Sequence, residues 1–194
     1  MPGFVDAHGH FPGSGRTAFT VDLNRPTIGD TECIPELLDK LRVFGEKRPD
    51  GWLIGSNYDD TLLAEKRHPV RDDLDLASAI RPIAIEHVSG HLMVVNSAAL
   101  SELHIDETTP DPEGGHIVWD ISSAHQRRPN GILEVTATHR ARYNILDLSA
   151  SDAWQMTKLA TAEYLQCGVT TASAGGMPTA IASLLRPMSA YNQM

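Results

Sequence analysis

Cysteine, aromatic residues and basic runs are all scarce in this chain. Its 194 residues include two cysteines and 6% aromatic residues, and the formal net charge is −9. Two distant thiols, Cys33 and Cys167, form no disulfide framework and favour a reduced, cytoplasmic protein. The acidic balance argues against nucleic acids and anionic membrane surfaces as partners. No apolar run approaches the ~20 residues of a membrane span, and the first residues lack a signal peptide's basic and apolar segments.

The chain does contain a pair of histidines near its start, in the stretch 4–10 (FVDAHGH). The apolar residues of this stretch predict a short strand, and residues two apart on a strand point to the same side. His8 and His10 would therefore present two imidazoles to one metal ion, and neutral imidazole is a good ligand for zinc and similar ions. The alternative is two polar residues where a strand meets its loop.

Apolar runs alternate with helical patterns along the rest of the chain, which predicts an α/β fold with parallel strands. Proline and glycine punctuate residues 104–131 and predict an excursion from this pattern, a small hairpin or lid. The predicted strands are 4–7, 52–55, 83–88 and 169–172; the predicted helices are 34–47, 72–79, 94–103, a stretch beginning near 134, 151–167 with Ser151 as N-cap, and 178–186.

An ordered series of motifs resembles the amidohydrolase superfamily, and within it amidohydrolase family 3, the YtcJ-like branch. The resemblance covers nearly the whole chain and implies a TIM-type (β/α)8 barrel of a metal-dependent hydrolase. Such a barrel takes ~250 residues and the family's members are longer, so we expect residues 1–194 to be an incomplete barrel domain, a fragment. The motifs are FVDAHGH at 4–10, GWLIG at 51–55, RP at 81–82, SGH at 89–91, NSAAL at 96–100, TPDP at 109–112 with GG at 114–115, GILE at 131–134 and GVTT at 168–171.

The resemblance also implies where the site residues lie. Barrel enzymes place substrate contacts at the C-terminal ends of strands, where Tyr58 and Asp59 follow one predicted strand and His91 follows the next. His91 is expected to hydrogen-bond the substrate carbonyl as a catalytic group, or to orient its loop. Glu134 is expected to be a metal ligand beside the two histidines and a catalytic carboxylate; its alternative is an ordinary acid on a helix face. For Asp59 the alternative is a solvated loop acid, and His87 suits either the site or the core.

The function implied by the resemblance is hydrolysis of a C–N bond other than a peptide bond, such as that of an N-acyl or N-formyl amine. Water activated by one or two divalent ions, zinc first, would attack the carbonyl. The implied partners are a small-molecule amide and, to complete the barrel, another copy or a second chain. The alternative is an inactive remnant that binds a metal or a partner. We expect little turnover from this chain alone, because the superfamily's later histidines and aspartate have no counterpart after Thr171.

Overall fold

The computed structural model of the chain describes residues 2–121, 127–145 and 149–175. They divide into two compact units, the smaller within Met1–Phe19 and Leu146–Met194 and the larger within Thr20–Ile145. The strands are β1 (Phe4–Gly9), β2 (Val21–Asp22), β3 (Leu53–Tyr58), β4 (Ile83–His87), β5 (Leu92–Val95), β6 (Gly115–Ile121), β7 (Arg127–Val135) and β8 (Val169–Ala174); the helices are α1 (Ile34–Lys47), α2 (Arg71–Asp75), α3 (Ser97–Glu102), α4 (Ala137–Ile145) and α5 (Ala150–Gln166).

The smaller unit pairs β1 with β8 in parallel and packs α5 beside them. Helix α5 begins with a capping box, in which Ser149 and Asp152 satisfy each other's backbone N–H groups. The sequence placed this cap at Ser151, two residues too late, since Ser149 is the residue with extended backbone. Met156 is fully buried, and its carbonyl lies so close to Gly15 that a Cβ there would come within 2.0 Å.

The larger unit contains a six-stranded sheet in the order β2-β3-β4-β5-β7-β6. The predicted parallel pairing holds for β3 and β4, and β2, a strand that the sequence did not predict, also pairs in parallel with β3. Strands β4, β5, β7 and β6 pair antiparallel. The reason is the connection after β4: residues 88–91 form a short turn, whereas a parallel return needs a crossover of about a dozen residues or more. The larger unit therefore has a mixed sheet, and the parallel expectation is wrong for its second half.

Helix α1 covers one face of this sheet as the sequence predicts, with Leu37 and Leu41 fully buried. The helix predicted over 94–103 begins only at Ser97, because Val94 and Val95 are fully buried and pair with β4 instead. The predicted helix 72–79 shortens to Arg71–Asp75. The lid role of 104–131 stays a prediction, and the predicted helix 178–186 lies outside the described residues.

Asn96 separates β5 from α3 and is fully buried. Its side-chain oxygen accepts the N–H of Ala99 at 3.0 Å, which caps α3, and that of Ile83 at 2.9 Å on β4. Its amide nitrogen donates to the carbonyls of Ser78 at 2.7 Å and Arg81 at 2.9 Å. The Asn96 side chain thus joins the N-terminus of α3 to the start of β4, at the end of these strands opposite the turn 88–91.

Candidate functional site

In the smaller unit, the two predicted metal ligands are neighbours at the end of β1. The ring centroids of His8 and His10 are 5.9 Å apart and the rings meet edge to face. Both residues are exposed. Two imidazoles that share a zinc ion each place one nitrogen ~2.0–2.1 Å from it, so their rings must be adjacent. The observed arrangement meets this requirement, and the role of the pair as ligands stays a prediction.

Two glycines and an acid hold the end of β1 in place. The N–H of Gly175, the residue after β8, donates to the carbonyl of Gly9 at 2.7 Å, which joins the ends of the two strands beside the histidine pair. Gly175 also lies directly against the His8 ring, and a Cβ added there would fall 2.3 Å from its Cε1 atom. Asp6 accepts hydrogen bonds from the His8 N–H and the Tyr164 hydroxyl, both at 3.3 Å. The His8 ring therefore sits in a position that only a glycine at 175 leaves open.

In the larger unit, a polar cluster formed by Tyr58, Asp60, His68 and His87 lies at the ends of β3 and β4. The Tyr58 hydroxyl is 3.1 Å from His68 Nδ1, and Asp60 Oδ1 is 3.1 Å from His87 Nε2 and 3.6 Å from His68 Nδ1. Burial raises the pKa of Tyr58, which keeps the phenol protonated. Burial lowers the pKa of His68 even though the Asp60 carboxylate opposes the change. The cluster is therefore a desolvated network with neutral imidazole at His68 near neutral pH.

Two members of the cluster and the neighbouring Asp59 are spaced closely enough to hold a cation. One ligand atom each from Asp59, Asp60 and His87 lies within 4.8 Å of the others. However, Asp59 Oδ1 already accepts the backbone N–H of Thr61 at 3.0 Å and its hydroxyl at 2.7 Å. These bonds, the hydroxyl first, lower the pKa of Asp59. Asp60 and His87 are bonded to each other, so all three groups already have hydrogen-bond partners without an ion.

The predicted site residues are distributed over both units. Tyr58 lies inside the polar cluster, and Asp59 adjoins it with its hydrogen bonds directed to its own loop. His91 is exposed at the end of the turn after β4. Glu134 is half-buried in strand β7, so it is no helix-face acid, and its charge acts to raise the pKa of His68. Glu134 belongs to the larger unit, and His8 and His10 belong to the smaller one.

Sequence reasoning missed Asp60 and His68 and left His87 undecided. Both missed residues lie in the loop after β3, and the loop folds back so that His68 meets Tyr58, ten positions earlier. Periodicity carries no information about such a return. The one available signal was the density of ionisable residues in 58–68 beside a predicted strand end.

Comparisons with known proteins agree with the motif series. A model of the amidohydrolase family matches residues 1–193. The amidohydrolase YtcJ of Bacillus subtilis is 33% identical over 134 residues, 69% of this chain and 24% of that protein. An N-substituted formamide deformylase of Arthrobacter pascens is 30% identical over 200 residues, 100% of this chain and 35% of that protein. The chain therefore spans between a quarter and about a third of the length of these relatives.

A solved structure shares the fold. A metal-dependent hydrolase of uncharacterized function from Pyrococcus horikoshii superposes with a TM-score of 0.62 at 24% identity, over 96% of this chain and 33% of that one. At this identity the likeness concerns the fold alone. Among the described residues, no helix is both long and apolar enough to cross a membrane.

Proposed function

The chain belongs to the YtcJ-like amidohydrolase family, and from that premise we propose that it contributes to a metal-dependent hydrolase acting on a C–N bond other than a peptide bond. The substrate class is a small N-acyl or N-formyl amine. The formamide deformylase, similar over the whole of this chain, supports this substrate class. In the proposal β1 and β8 are neighbouring strands of a TIM-type barrel, which a second copy or another chain completes.

The observation that carries the proposal is the adjacent pair His8 and His10. Their rings are neighbours, they lie at the C-terminal end of a parallel strand, and the glycine at 175 leaves room for the His8 ring. These features fit a divalent ion, zinc first, because neutral imidazoles at a strand end are typical zinc ligands. A bound ion would act as a Lewis acid and lower the pKa of a bound water. The sequence's candidate for a third ligand is the carboxylate of Glu134.

The remaining proposed roles fall on side chains of the larger unit. The exposed imidazole of His91 can donate a hydrogen bond to a substrate carbonyl oxygen, which stabilises the charge that develops there. The half-buried carboxylate of Glu134 can accept a proton as a general base. Tyr58 keeps its proton, so its hydroxyl can donate a hydrogen bond as well as accept one. Asp59 keeps one carboxylate oxygen beyond its bonds to Thr61 for a polar substrate group.

The test combines metal binding with turnover. Purified chain, stripped with a chelator and reloaded with zinc, is assayed against a panel of N-formyl and N-acyl amines. The His8→Ala/His10→Ala variant is compared with His139→Ala, which removes an exposed histidine from α4. We expect stoichiometric zinc to depend on the pair, and any turnover to disappear with it while His139→Ala behaves as wild type.

Two other outcomes separate the alternatives. Zinc that depends on the pair, with no turnover of any panel member, would favour the module that binds a metal or a partner without catalysis. Zinc content and turnover that are unchanged in the double variant would refute the proposed site.

A further inference from the structure

We propose that Asp60, His87 and Ser89 form a hydrogen-bonded chain that positions His91. In the proposed function, the exposed imidazole of His91 donates a hydrogen bond to the substrate carbonyl. The inference rests on the proposed function for the role of His91. The coupling itself rests on contacts within the larger unit. Asp60, His87 and Ser89 are therefore positioning residues that act through His91 and need not touch the substrate.

The chain has three consecutive links. Asp60 Oδ1 lies 3.1 Å from His87 Nε2. On the other side of the same ring, His87 Nδ1 lies 2.8 Å from Ser89 Oγ and 3.1 Å from the backbone nitrogen of Ser89. Ser89 Oγ in turn accepts the backbone N–H of His91 at 3.2 Å. A carboxylate at the start of the loop after β3 is thereby connected to the backbone of His91.

The contacts determine the direction of each bond. A backbone N–H can only donate, so the bond from the Ser89 N–H requires an unprotonated Nδ1 on His87. In the neutral ring the proton is then on Nε2, where it is donated to Asp60. Asp60 thus stabilises the one tautomer of His87 whose Nδ1 can accept the hydrogen bond from the Ser89 N–H. Without this acceptor, the tautomer with its proton on Nδ1 would become competitive and would oppose the Ser89 N–H.

The turn that carries His91 is fixed from several sides although it is exposed. The Val88 N–H donates to the Tyr58 carbonyl at 2.9 Å, and the His91 carbonyl accepts the Val135 N–H at 2.8 Å. Gly90, with φ of +70°, accepts a hydrogen bond from the Arg142 guanidinium through its carbonyl. An exposed turn gains little stability from so many bonds, because water competes for each one. Their common effect is to fix where the His91 backbone stands.

A cation held by Asp59, Asp60 and His87 is the competing explanation of the same residues. It would need the lone pair of His87 Nε2 and would move the ring proton to Nδ1, against the Ser89 N–H. The two explanations therefore predict opposite protonation of one ring, which can be measured directly.

The experiment uses the full chain with 15N-labelled histidine, and needs neither turnover nor bound zinc. Long-range 1H–15N spectra report which nitrogen of His87 is protonated, and backbone exchange is followed at the His91 N–H. Asp60→Ala removes the acceptor, whereas Asp60→Asn keeps an oxygen that can accept from Nε2. Ser89→Ala removes the link to His91, and Ser89→Thr restores a hydroxyl. Asp111→Ala, which removes the Asp111–His116 contact of the same unit, is the matched control.

We expect the His87 proton on Nε2 in the wild type. In Asp60→Ala and Ser89→Ala the His91 N–H should exchange roughly 3- to 10-fold faster, the equivalent of one hydrogen bond, while Asp60→Asn, Ser89→Thr and Asp111→Ala stay near wild type. A proton on Nδ1, or unchanged exchange in Asp60→Ala, would overturn the proposal. Zinc that removes the Nε2 proton in a His8→Ala/His10→Ala background would establish the cation site instead. None of these readouts depends on hydrolysis, so a failed proposed function stays distinguishable.

Discussion

Replacing Gly175 by alanine should weaken metal binding without unfolding the protein. The added Cβ would lie 2.3 Å from Cε1, 2.6 Å from Nε2 and 2.9 Å from Nδ1 of His8. Carbon atoms in contact stand ~3.5–4.0 Å apart, so the ring must move by roughly 1 Å. A designed metal or catalytic geometry tolerates only ~0.5 Å. The exposed His8 ring can rotate away at little cost in free energy. The displacement should therefore reduce metal affinity and leave the free energy of unfolding nearly unchanged.

We expect the zinc affinity of Gly175→Ala to fall ~10- to 100-fold, the range seen when the groups that orient a ligand are altered. The assay is competition with a chromophoric chelator, with the free energy of unfolding measured in parallel. Gly13→Ala is the matched control, since its Cβ would find His10 Cβ at an ordinary 3.8 Å. Equal affinities for wild type and Gly175→Ala would show that the His8 ring is not a ligand where it stands.

Three further predictions concern stability in the rest of the chain. Asn96→Ala should cost about 3 kcal/mol in denaturant unfolding, because the buried N–H groups of Ile83 and Ala99 lose their acceptor, and a cost under about 1 kcal/mol would contradict this reasoning. Because burial lowers the pKa of His68 from 6.5, the unfolded chain takes up a proton first as pH falls below 6.5. The free energy of unfolding should therefore decrease in that range, and less steeply in His68→Gln; a steeper slope would contradict the burial argument. Ser149→Ala should cost about 1 kcal/mol as a lost helix cap, whereas an unchanged midpoint would show that the capping box is dispensable.

Much of the fold could be predicted because apolar periodicity is local. The stripe through Leu37 and Leu41 gave α1 its observed bounds, and the apolar run over 169–172 lies in β8. Val94 shows the limit. An apolar run bounded by Asn96 suits a helix or a buried strand equally well, and only the partner β4 decides between them. Antiparallel pairing of β4 and β5 likewise depends on the short turn 88–91. In the sequence this turn has the same pattern as any other end of a strand, so the pairing could not be predicted.

The candidate site was predictable where function follows from spacing along one strand. His8 and His10 needed only the two-residue repeat of a strand to be placed side by side. The roles of Asp60 and His68 depend on the path of a loop, which the sequence does not reveal. The role of His87 depends on its contact with the carboxylate of Asp60, a residue of that loop. Residues whose partners are distant in sequence carry no local pattern, so the polar cluster emerged only from the structure.

The central claim is that His8 and His10 hold a divalent ion, and cobalt binding tests it most directly. Metal-free protein is titrated with Co²⁺, whose visible absorption reports nitrogen ligands, and the His8→Ala/His10→Ala variant is titrated beside it. The account predicts a saturable absorption change in the wild type that zinc competes away, and its loss in the double variant. An identical titration curve for the two proteins would contradict it.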